Sequence, residues 1–418
     1  MKIVHLSASD IGGGAALAAY RLHRGLQRAG HDSSMLVAKR SSQDSSVLAF
    51  SPPNGLTVRI RRRFRRLLID REFSRYRLSR PPGYEPFSDD RTPYGETVAA
   101  QLPPCDVVNL HWIAGFVDYQ GLFGSLPGRT PIVWRLADMN ALTGGCHYDD
   151  DCGQLGRGCG MCPQLGSGDR EDLSRQVWLR KQKAFGALEP NQLHIVTLCR
   201  WMSVVVRESP ILSRFPVTHI PNGVDLEEFS PRDRRLAREV LGIPHEARVV
   251  MFVSDQLTNR RKGFSLLIDA LAGMTQCPNL VLMSVGKGQP PLAGGIPCLH
   301  FGHVNNDRWL SLIYSAADVF VIPSLQDNLP NTVLESMACG TPVIGFAVGG
   351  ISDMVRDGLT GLMVPPRDVG GLRTTILGLL ENPSMRASMS EQSRRIAVQD
   401  YSRELQVRRY LDLYKSLV

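Results

Sequence analysis

Short apolar runs alternate with longer segments of helical periodicity along most of the chain. The apolar runs of the first half are KIVHLS, SSMLVA, DVVNLHW, PIVWRLA and HIVTL, and those of the second half are RVVMFVS, NLVLMSVG, CLHFG, DVFVIPS, TPVIGF and GLMVP. Strand-like runs separated by helical segments are typical of parallel sheets wound with helices. The pattern therefore predicts an α/β protein with two similar halves.

The length of the chain indicates two domains. At 418 residues the chain exceeds the roughly 250 to 300 residues at which a single hydrophobic core stops growing. The PNGVD segment at 221–225 has the composition of a turn and lies between a strand and a charged helical segment, so we place the boundary between the two domains there. We expect an N-terminal domain at 1–220 with a cysteine-rich insert at 143–165, and a C-terminal domain at 221–400. An amphipathic helix at 401–418 is expected to cross back to the N-terminal domain.

Composition narrows the class of protein. Apolar residues make up 43% of the chain, charged residues 21% and aromatic residues 7%, as in an ordinary globular protein. No apolar run approaches the ~20 residues of a transmembrane helix. The opening residues, MKIVHLSAS, lack the basic start, apolar stretch and cleavage site of a signal peptide, so a cytoplasmic protein is expected.

The formal charge of +8 is concentrated in one segment. Between residues 56 and 80 ten arginines face two acids, which accounts for the whole net charge. Apolar residues recur there at three- and four-residue spacing, so the segment predicts a helix with an apolar stripe and a guanidinium-rich face. Such a helix could lie on an anionic membrane surface or could be a solvated surface helix. Nucleic acid is not expected, because no aromatic stacking platform accompanies the arginines, which are Arg59, Arg61, Arg62, Arg63, Arg65, Arg66, Arg71, Arg75, Arg77 and Arg80.

Two turns could receive a phosphate. The first strand runs into SDIGGG and a long helix, so the backbone at Gly13 and Gly14 can approach a ligand at a helix N-terminus. The first strand of the second half ends in SDQLTNRRKG, which sets Arg261 and Lys262 at the carboxyl edge of a sheet. By itself each feature could also be an ordinary tight turn.

The segment PSLQDNLPNTVLESMACGTPVIGFAVGGISDMV at 323–355 is more specific. It resembles the signature of the group 1 (family 4) retaining glycosyltransferases, in which two acids spaced E-x7-E lie within a PS…E…VLEAMACGTPVV run. Asp327 and Glu335 occupy the two acidic positions. The glycine turn, LHW at 110–112, IPNGVD at 220–225, RKG at 261–263, YSAADVFVIPS at 314–324 and the C-terminal helix follow in family order. The resemblance covers essentially the whole chain and implies the GT-B fold, two Rossmann-like domains with parallel sheets facing across a cleft.

The resemblance also implies roles for individual residues. It makes the protein a hexosyltransferase that moves a sugar from a UDP- or GDP-sugar to a glycan or lipid-linked glycan of polysaccharide synthesis, with retention and without a catalytic metal. Glu335 would hold the donor ribose, Asp327 would contact the transferred sugar, and His111 would lie beside that sugar unless it is a core histidine. The other donor-binding positions would be Gly13, Gly14, Arg261, Lys262, Gly302, His303, Val304, Asn328 and Leu329.

Three positions depart from the family pattern. Asp327 replaces the usual Glu, Gln256 stands where many relatives have Arg, and Ala137 replaces the His of an HDM tripeptide. Two alternatives therefore remain open, a nucleotide-sugar-binding partner protein without transferase activity and a GT-B sugar-nucleotide epimerase.

The insert carries a cluster of four cysteines, Cys146, Cys152, Cys159 and Cys162. In a cytosolic protein such clustering favours structural zinc held by thiolates, although only the last pair has typical ligand spacing, and disulfides or free thiols are the alternatives. His147 could be a substitute ligand or could point at the acceptor.

Overall fold

The computed structural model describes residues 1–126, 130–274, 276–290 and 295–418. It divides into two compact units, unit 1 with Met1–Ile220 and Val407–Val418, and unit 2 with Pro221–Gln406. Each unit contains one sheet, and every strand pairing in the described residues is parallel. The predicted α/β class, with two parallel sheets wound with helices, is confirmed.

Unit 1 has a seven-stranded sheet in the order β3-β2-β1-β4-β5-β6-β7. Its central strands are buried along their length because helices cover both faces, which explains their continuous apolar sequence. The strands are β1 (Lys2–Ser9), β2 (Asp32–Lys39), β3 (Val47–Ala49), β4 (Val107–Leu110), β5 (Ile132–Arg135), β6 (Leu193–Thr197) and β7 (Val217–His219). The helices are α1 (Gly14–Arg28), α2 (Leu56–Ser74), α3 (Tyr119–Ser125), α4 (Leu173–Gly186) and α5 (Arg200–Arg207).

Unit 2 has a six-stranded sheet in the order β10-β9-β8-β11-β12-β13. Its strands are β8 (Arg248–Gln256), β9 (Leu280–Lys287), β10 (Cys298–His300), β11 (Val319–Ile322), β12 (Val343–Phe346) and β13 (Gly361–Val364). Its helices are α6 (Arg234–Leu241), α7 (Phe264–Ala272), α8 (Asp307–Ala316), α9 (Asn331–Ala338), α10 (Ile351–Met354), α11 (Val369–Glu381) and α12 (Pro383–Asp400). One apolar core joins the sheet to α7, α11 and α12.

The last helix, α13 (Arg403–Leu417), begins in unit 2 and ends in unit 1. Its Val407, Tyr410 and Tyr414 pack into the same apolar cluster as Ile3 of β1 and Val107 of β4. The Asn109 side chain donates a hydrogen bond of 2.6 Å to the Tyr414 hydroxyl inside this core. The end of the chain is therefore part of the core of unit 1.

None of the helices in the described ranges combines the length and the apolar character that a membrane span requires.

Candidate active site

The basic turn between β8 and α7 lies against the end of β11. Residues Arg260–Lys262 form a single 3-10 turn that the Asn259 side chain caps, accepting from the Arg261 amide at 3.0 Å. Gly263 closes the turn with φ +67°, and a Cβ there would lie 1.8 Å from the carbonyl oxygen of Pro323. Only glycine fits this conformation and this approach, so the sequence RKG fixes the basic side chains beside the loop after β11.

Asp327 in that loop joins the two basic side chains. The Lys262 ammonium donates to Asp327 Oδ2 at 2.6 Å. The Arg261 guanidinium donates to the Gln326 carbonyl at 2.6 Å and lies 3.3 Å from the same carboxylate oxygen. Burial alone would raise the pKa of Asp327, but Lys262 and then Arg261 outweigh it, so the pKa lies below its usual value. Asp327 is therefore ionised at neutral pH although it is buried.

Glu335 lies in the middle of α9, the helix that follows this loop, and is buried. The Tyr314 hydroxyl donates to Glu335 Oε2 at 3.5 Å. The N-cap residue of α9 is Pro330, which makes no side-chain cap hydrogen bond, so the positive end of the helix dipole lies at this loop without a capping side chain. Asn222 donates from its side chain to Asn331 Oδ1 at 2.9 Å and fixes the PNG turn beside the start of the helix.

The remaining donor-site candidates of unit 2 follow strands of the same sheet. Gly302, His303 and Val304 follow β10 after one intervening residue, and Asn328 and Leu329 come after β11. The carboxyl ends of parallel strands lie at one edge of a sheet, and in open α/β sheets that edge is where ligands bind. The fold thus brings Arg261, Lys262 and Asp327 into direct contact and sets the other candidates along the same edge.

In unit 1 the glycine turn is exposed. Gly13 has φ +88° and begins α1 without a side-chain cap, and a Cβ at this position would meet no atom within 4 Å. Gly14, the first residue of α1, is also exposed. The turn therefore lies exposed at a helix N-terminus, a position that suits an anion.

His111 follows β4 and is buried, with its ring Nε2 2.8 Å from Nδ1 of His5. The two imidazoles stack at 5.1 Å between centroids. Burial lowers the pKa of His111 well below the usual range, and His5 and Arg135 lower it further, so the ring is neutral at pH 7. His111 also lines a small cavity. The burial and the pairing with His5 suit a core histidine, and the position of His111 beside the sugar stays a prediction.

A second polar cluster follows β4 and β5 in unit 1. His147 Nδ1 lies 2.6 Å from Asp138 Oδ2, and its Nε2 lies 2.8 Å from the Ser88 hydroxyl. Trp112 stacks on the imidazole at 5.3 Å and donates its indole N–H to Asp138 at 2.7 Å. The sequence identifies His147 and Asp138 separately, but no signal in the sequence links Ser88, 59 residues away, to either.

The four cysteines of the insert lie near one another in unit 1 and are free thiols. Burial raises the pKa of Cys146 first, and the neighbouring Cys159 and Cys162 raise it further. Burial also raises the pKa of Cys159 to about 12. Across the described ranges, no three His, Cys, Asp or Glu side chains meet in an arrangement that could hold a metal ion. Zinc binding stays a prediction.

A known family model matches part of unit 2. Residues 247–382 match the family model described as Glycosyl transferases group 1. Over 196 residues the chain is 32% identical to "D-inositol 3-phosphate glycosyltransferase 2" of Catenulispora acidiphila, covering 42% of this chain and 45% of that protein. Over 172 residues it is 32% identical to "D-inositol 3-phosphate glycosyltransferase" of Mycobacterium tuberculosis, covering 38% of this chain and 34% of that protein. The chain thus matches less than half the length of these relatives.

Solved structures resemble the chain over its whole length. Sucrose-phosphate synthase from Thermosynechococcus elongatus has a TM-score of 0.69 at 19% identity, covering 100% of this chain and 99% of that one. Anabaena HepE in complex with UDP-glucose has a TM-score of 0.67 at 17% identity, covering 100% of both chains. At such identities the likeness concerns the fold, and the predicted GT-B class is confirmed.

Proposed function

Because residues 247–382 match the family model of group 1 glycosyl transferases, we propose that the protein transfers a hexose from a nucleotide sugar to a glycan or lipid-linked glycan acceptor. We propose further that the reaction retains the anomeric configuration and uses no catalytic metal. The observation that carries the proposal is the contact of Lys262 and Arg261 with Asp327 at the carboxyl edge of the unit 2 sheet.

Departure of a nucleoside diphosphate concentrates negative charge on its phosphates. Lys262, Arg261 and the positive end of the α9 helix dipole supply positive charge that is already in place, so little reorganisation is needed as the bond to the sugar breaks. This arrangement would stabilise the diphosphate leaving group in the way that a divalent cation can. The acceptor hydroxyl then forms the new bond on the face from which the diphosphate leaves, and its proton passes to the departing phosphate.

The two acids take different parts in this proposal. Asp327 is the counter-ion of Lys262, and a bound diphosphate would draw the ammonium away and free the carboxylate to accept hydrogen bonds from sugar hydroxyls. Glu335, buried on α9, would accept from the ribose hydroxyls. Asn328 and Leu329 would contact the sugar-diphosphate, and Gly302, His303 and Val304 would contact the base.

Unit 1 contributes the acceptor side and part of the donor contacts. The exposed turn at Gly13 and Gly14 would donate backbone N–H groups to the diphosphate. His111, which lies buried beside His5, is proposed to lie next to the transferred sugar as an active-site histidine. The protein is proposed to work in the cytoplasm, on the inner face of a membrane where a lipid-linked acceptor is presented.

Structural zinc remains part of the proposal. The four thiols of the insert, Cys146, Cys152, Cys159 and Cys162, lie near enough to raise one another's pKa, and zinc would hold them as thiolates. Metal analysis of protein purified without added zinc tests this. Stoichiometric zinc that a Cys159→Ser/Cys162→Ser variant lacks would support it, and metal-free protein of full stability would contradict it.

A panel of nucleotide sugars identifies the donor, because a ligand that binds the native state raises the melting temperature. With that donor, release of nucleoside diphosphate is measured with and without a glycan acceptor. Release that depends on acceptor supports a transferase, binding without release supports a partner protein without activity, and an epimerised donor without acceptor supports an epimerase. Lys262→Ala and Glu335→Ala should nearly abolish transfer while the circular dichroism spectrum is unchanged. Wild-type turnover in both variants would refute the assignments.

A further inference from the structure

The arginine-rich helix α2 is fixed to unit 1 along one side. The Arg65 guanidinium donates to the Thr92 carbonyl at 2.7 Å and also binds the Asp118 carboxylate. Two helical turns further along, the Glu72 carboxylate accepts a hydrogen bond of 2.5 Å from the Arg91 guanidinium. Phe73 packs against the buried cluster around Leu165. Since helical residues advance by about 100° each, Arg65, Glu72 and Phe73 lie on one face, and this face is attached to the protein.

The opposite face of α2 carries large apolar side chains that nothing in the described structure covers. No residue of the helix is buried, and the apolar stripe is between 45% and 73% exposed. The helix therefore reverses the usual arrangement of a surface helix, in which the apolar stripe faces the core. The stripe consists of Leu56, Ile60, Phe64, Leu67 and Leu68.

Arginines flank this stripe. Arg59, Arg63 and Arg66 project on one side of it, Arg61 on the other, and all four are exposed. An apolar stripe between rows of guanidinium groups matches the boundary between acyl chains and anionic headgroups, where apolar side chains enter the bilayer and cations stay at headgroup level.

We propose that this face of α2 docks on a bilayer that contains anionic lipid, with the helix parallel to the membrane plane. The charge excludes a second copy of the chain as the occupant, because two such faces would bring arginine rows together. The apolar stripe is unlike a nucleic-acid surface, which needs polar and aromatic contacts. The inference deepens the proposed function by naming the surface on which a lipid-linked acceptor is reached, but the docking is measured without donor or acceptor.

Flotation of the whole chain with vesicles tests the docking directly. Wild type should float with phosphatidylcholine vesicles that contain phosphatidylglycerol and should remain unbound with pure phosphatidylcholine. The variant Ile60→Ser/Phe64→Ser/Leu67→Ser should lose binding to the mixed vesicles. An Arg59→Gln/Arg63→Gln/Arg66→Gln variant should bind the mixed vesicles about a hundredfold more weakly, because each arginine near an anionic surface contributes about a fivefold factor. Since all six side chains are largely exposed, both variants should keep the wild-type melting temperature.

A matched control separates the position of the charges from their number. Arg207→Gln/Arg235→Gln/Arg395→Gln removes three exposed arginines outside α2 and should float as wild type does. Loss of flotation in this control equal to that of the α2 arginine variant would reduce the effect to net charge and overturn the proposal. Wild type that fails to float with the mixed vesicles, or an apolar variant that floats equally well, would also overturn it.

A fluorescent reporter shows whether the face enters the bilayer. Phe64→Trp adds an indole at the centre of the stripe, and its emission should shift to the blue with mixed vesicles and be quenched by brominated acyl chains. Light scattering without lipid should give a monomer, and a dimer that the apolar variant abolishes would identify a second copy as the occupant instead. Transfer to a water-soluble acceptor analogue should be unchanged in both α2 triple variants, so that failure of docking and failure of catalysis are distinguished.

Discussion

The ion pair of Lys262 with Asp327 should respond asymmetrically when either partner is removed. Lys262 Nζ and Asp327 Oδ2 are 2.6 Å apart, and the Lys262 side chain is 23% exposed and that of Asp327 6%. Lys262→Met leaves a buried carboxylate with Arg261 at 3.3 Å as its remaining basic neighbour. Breaking a buried pair in this way costs about 3 to 5 kcal/mol, and because Arg261 remains we expect about 3 kcal/mol.

Asp327→Asn should cost less. It leaves an ammonium and a guanidinium that both reach water, so the loss is that of charged hydrogen bonds, about 1.5 to 2 kcal/mol. The double variant Lys262→Met/Asp327→Asn leaves no unpaired buried charge and should be more stable than Lys262→Met alone by about 1 kcal/mol. Lys287→Met is the control, because its pair with Asp255 is 3.1 Å long but half exposed and should contribute under about 1 kcal/mol.

Urea unfolding of the whole chain measures these differences, with hydrogen exchange in β8 and β11 peptides identifying the transition of unit 2. The Asp327 carboxylate has a lowered pKa in the folded state. The ionised Asp327 carboxylate therefore stabilises the folded state at a pH above its ordinary pKa of about 3.9. This contribution to the free energy of unfolding is lost as the pH falls through the lowered pKa. Effects of the two single variants that add up in the double variant, or an Asp327→Asn variant less stable than Lys262→Met, would refute this account of the pair.

Three further results are expected. Glu335→Gln should weaken donor binding about ten- to a hundredfold, measured by calorimetry, since it removes a charged acceptor without changing shape; unchanged affinity would exclude Glu335 from the donor site. Gly263→Ala should destabilise unit 2 far more than Gly242→Ala, because both have positive φ but only the Cβ at 263 would meet a carbonyl oxygen; equal urea midpoints would contradict the close approach. Burial lowers the pKa of His5 and His111, so the free energy of unfolding of unit 1 should decrease as the pH is lowered below about 6.5. The variant His5→Leu should reduce this pH dependence, and an unchanged pH profile would disprove the assignment.

The sequence predicts most of the fold because apolar runs of buried parallel strands are conspicuous. The strands β1, β2, β4, β5 and β6 of unit 1 and all six of unit 2 coincide with apolar runs of the sequence, and α1 is the long helix expected after the glycine turn. The strands β3 and β7 were not predicted; each has three residues and lies at an edge of the sheet.

The site is less predictable because its contacts join distant residues. The sequence assigns Lys262 and Asp327 to different parts of a donor, but spacing alone does not reveal that they contact each other across 65 residues. The partner of His111 also comes from another strand, because β1 and β4 are neighbours in the sheet. For α2, periodicity correctly identifies an apolar stripe, but only the contacts of Arg65 and Glu72 show that the stripe faces away from the protein.

The path of α13 has a consequence for biosynthesis. Tyr410 and Tyr414, which complete the core around β1 and β4, are synthesised after the whole of Pro221–Gln406. Domains generally fold as they leave the ribosome, the N-terminal one first. In this chain the apolar surface of residues 1–220 that α13 covers stays exposed until α13 has been synthesised. The second unit is contiguous in sequence, so all of its core residues are present once residue 406 has been added. The core of unit 1 is therefore completed only after unit 2 has been synthesised.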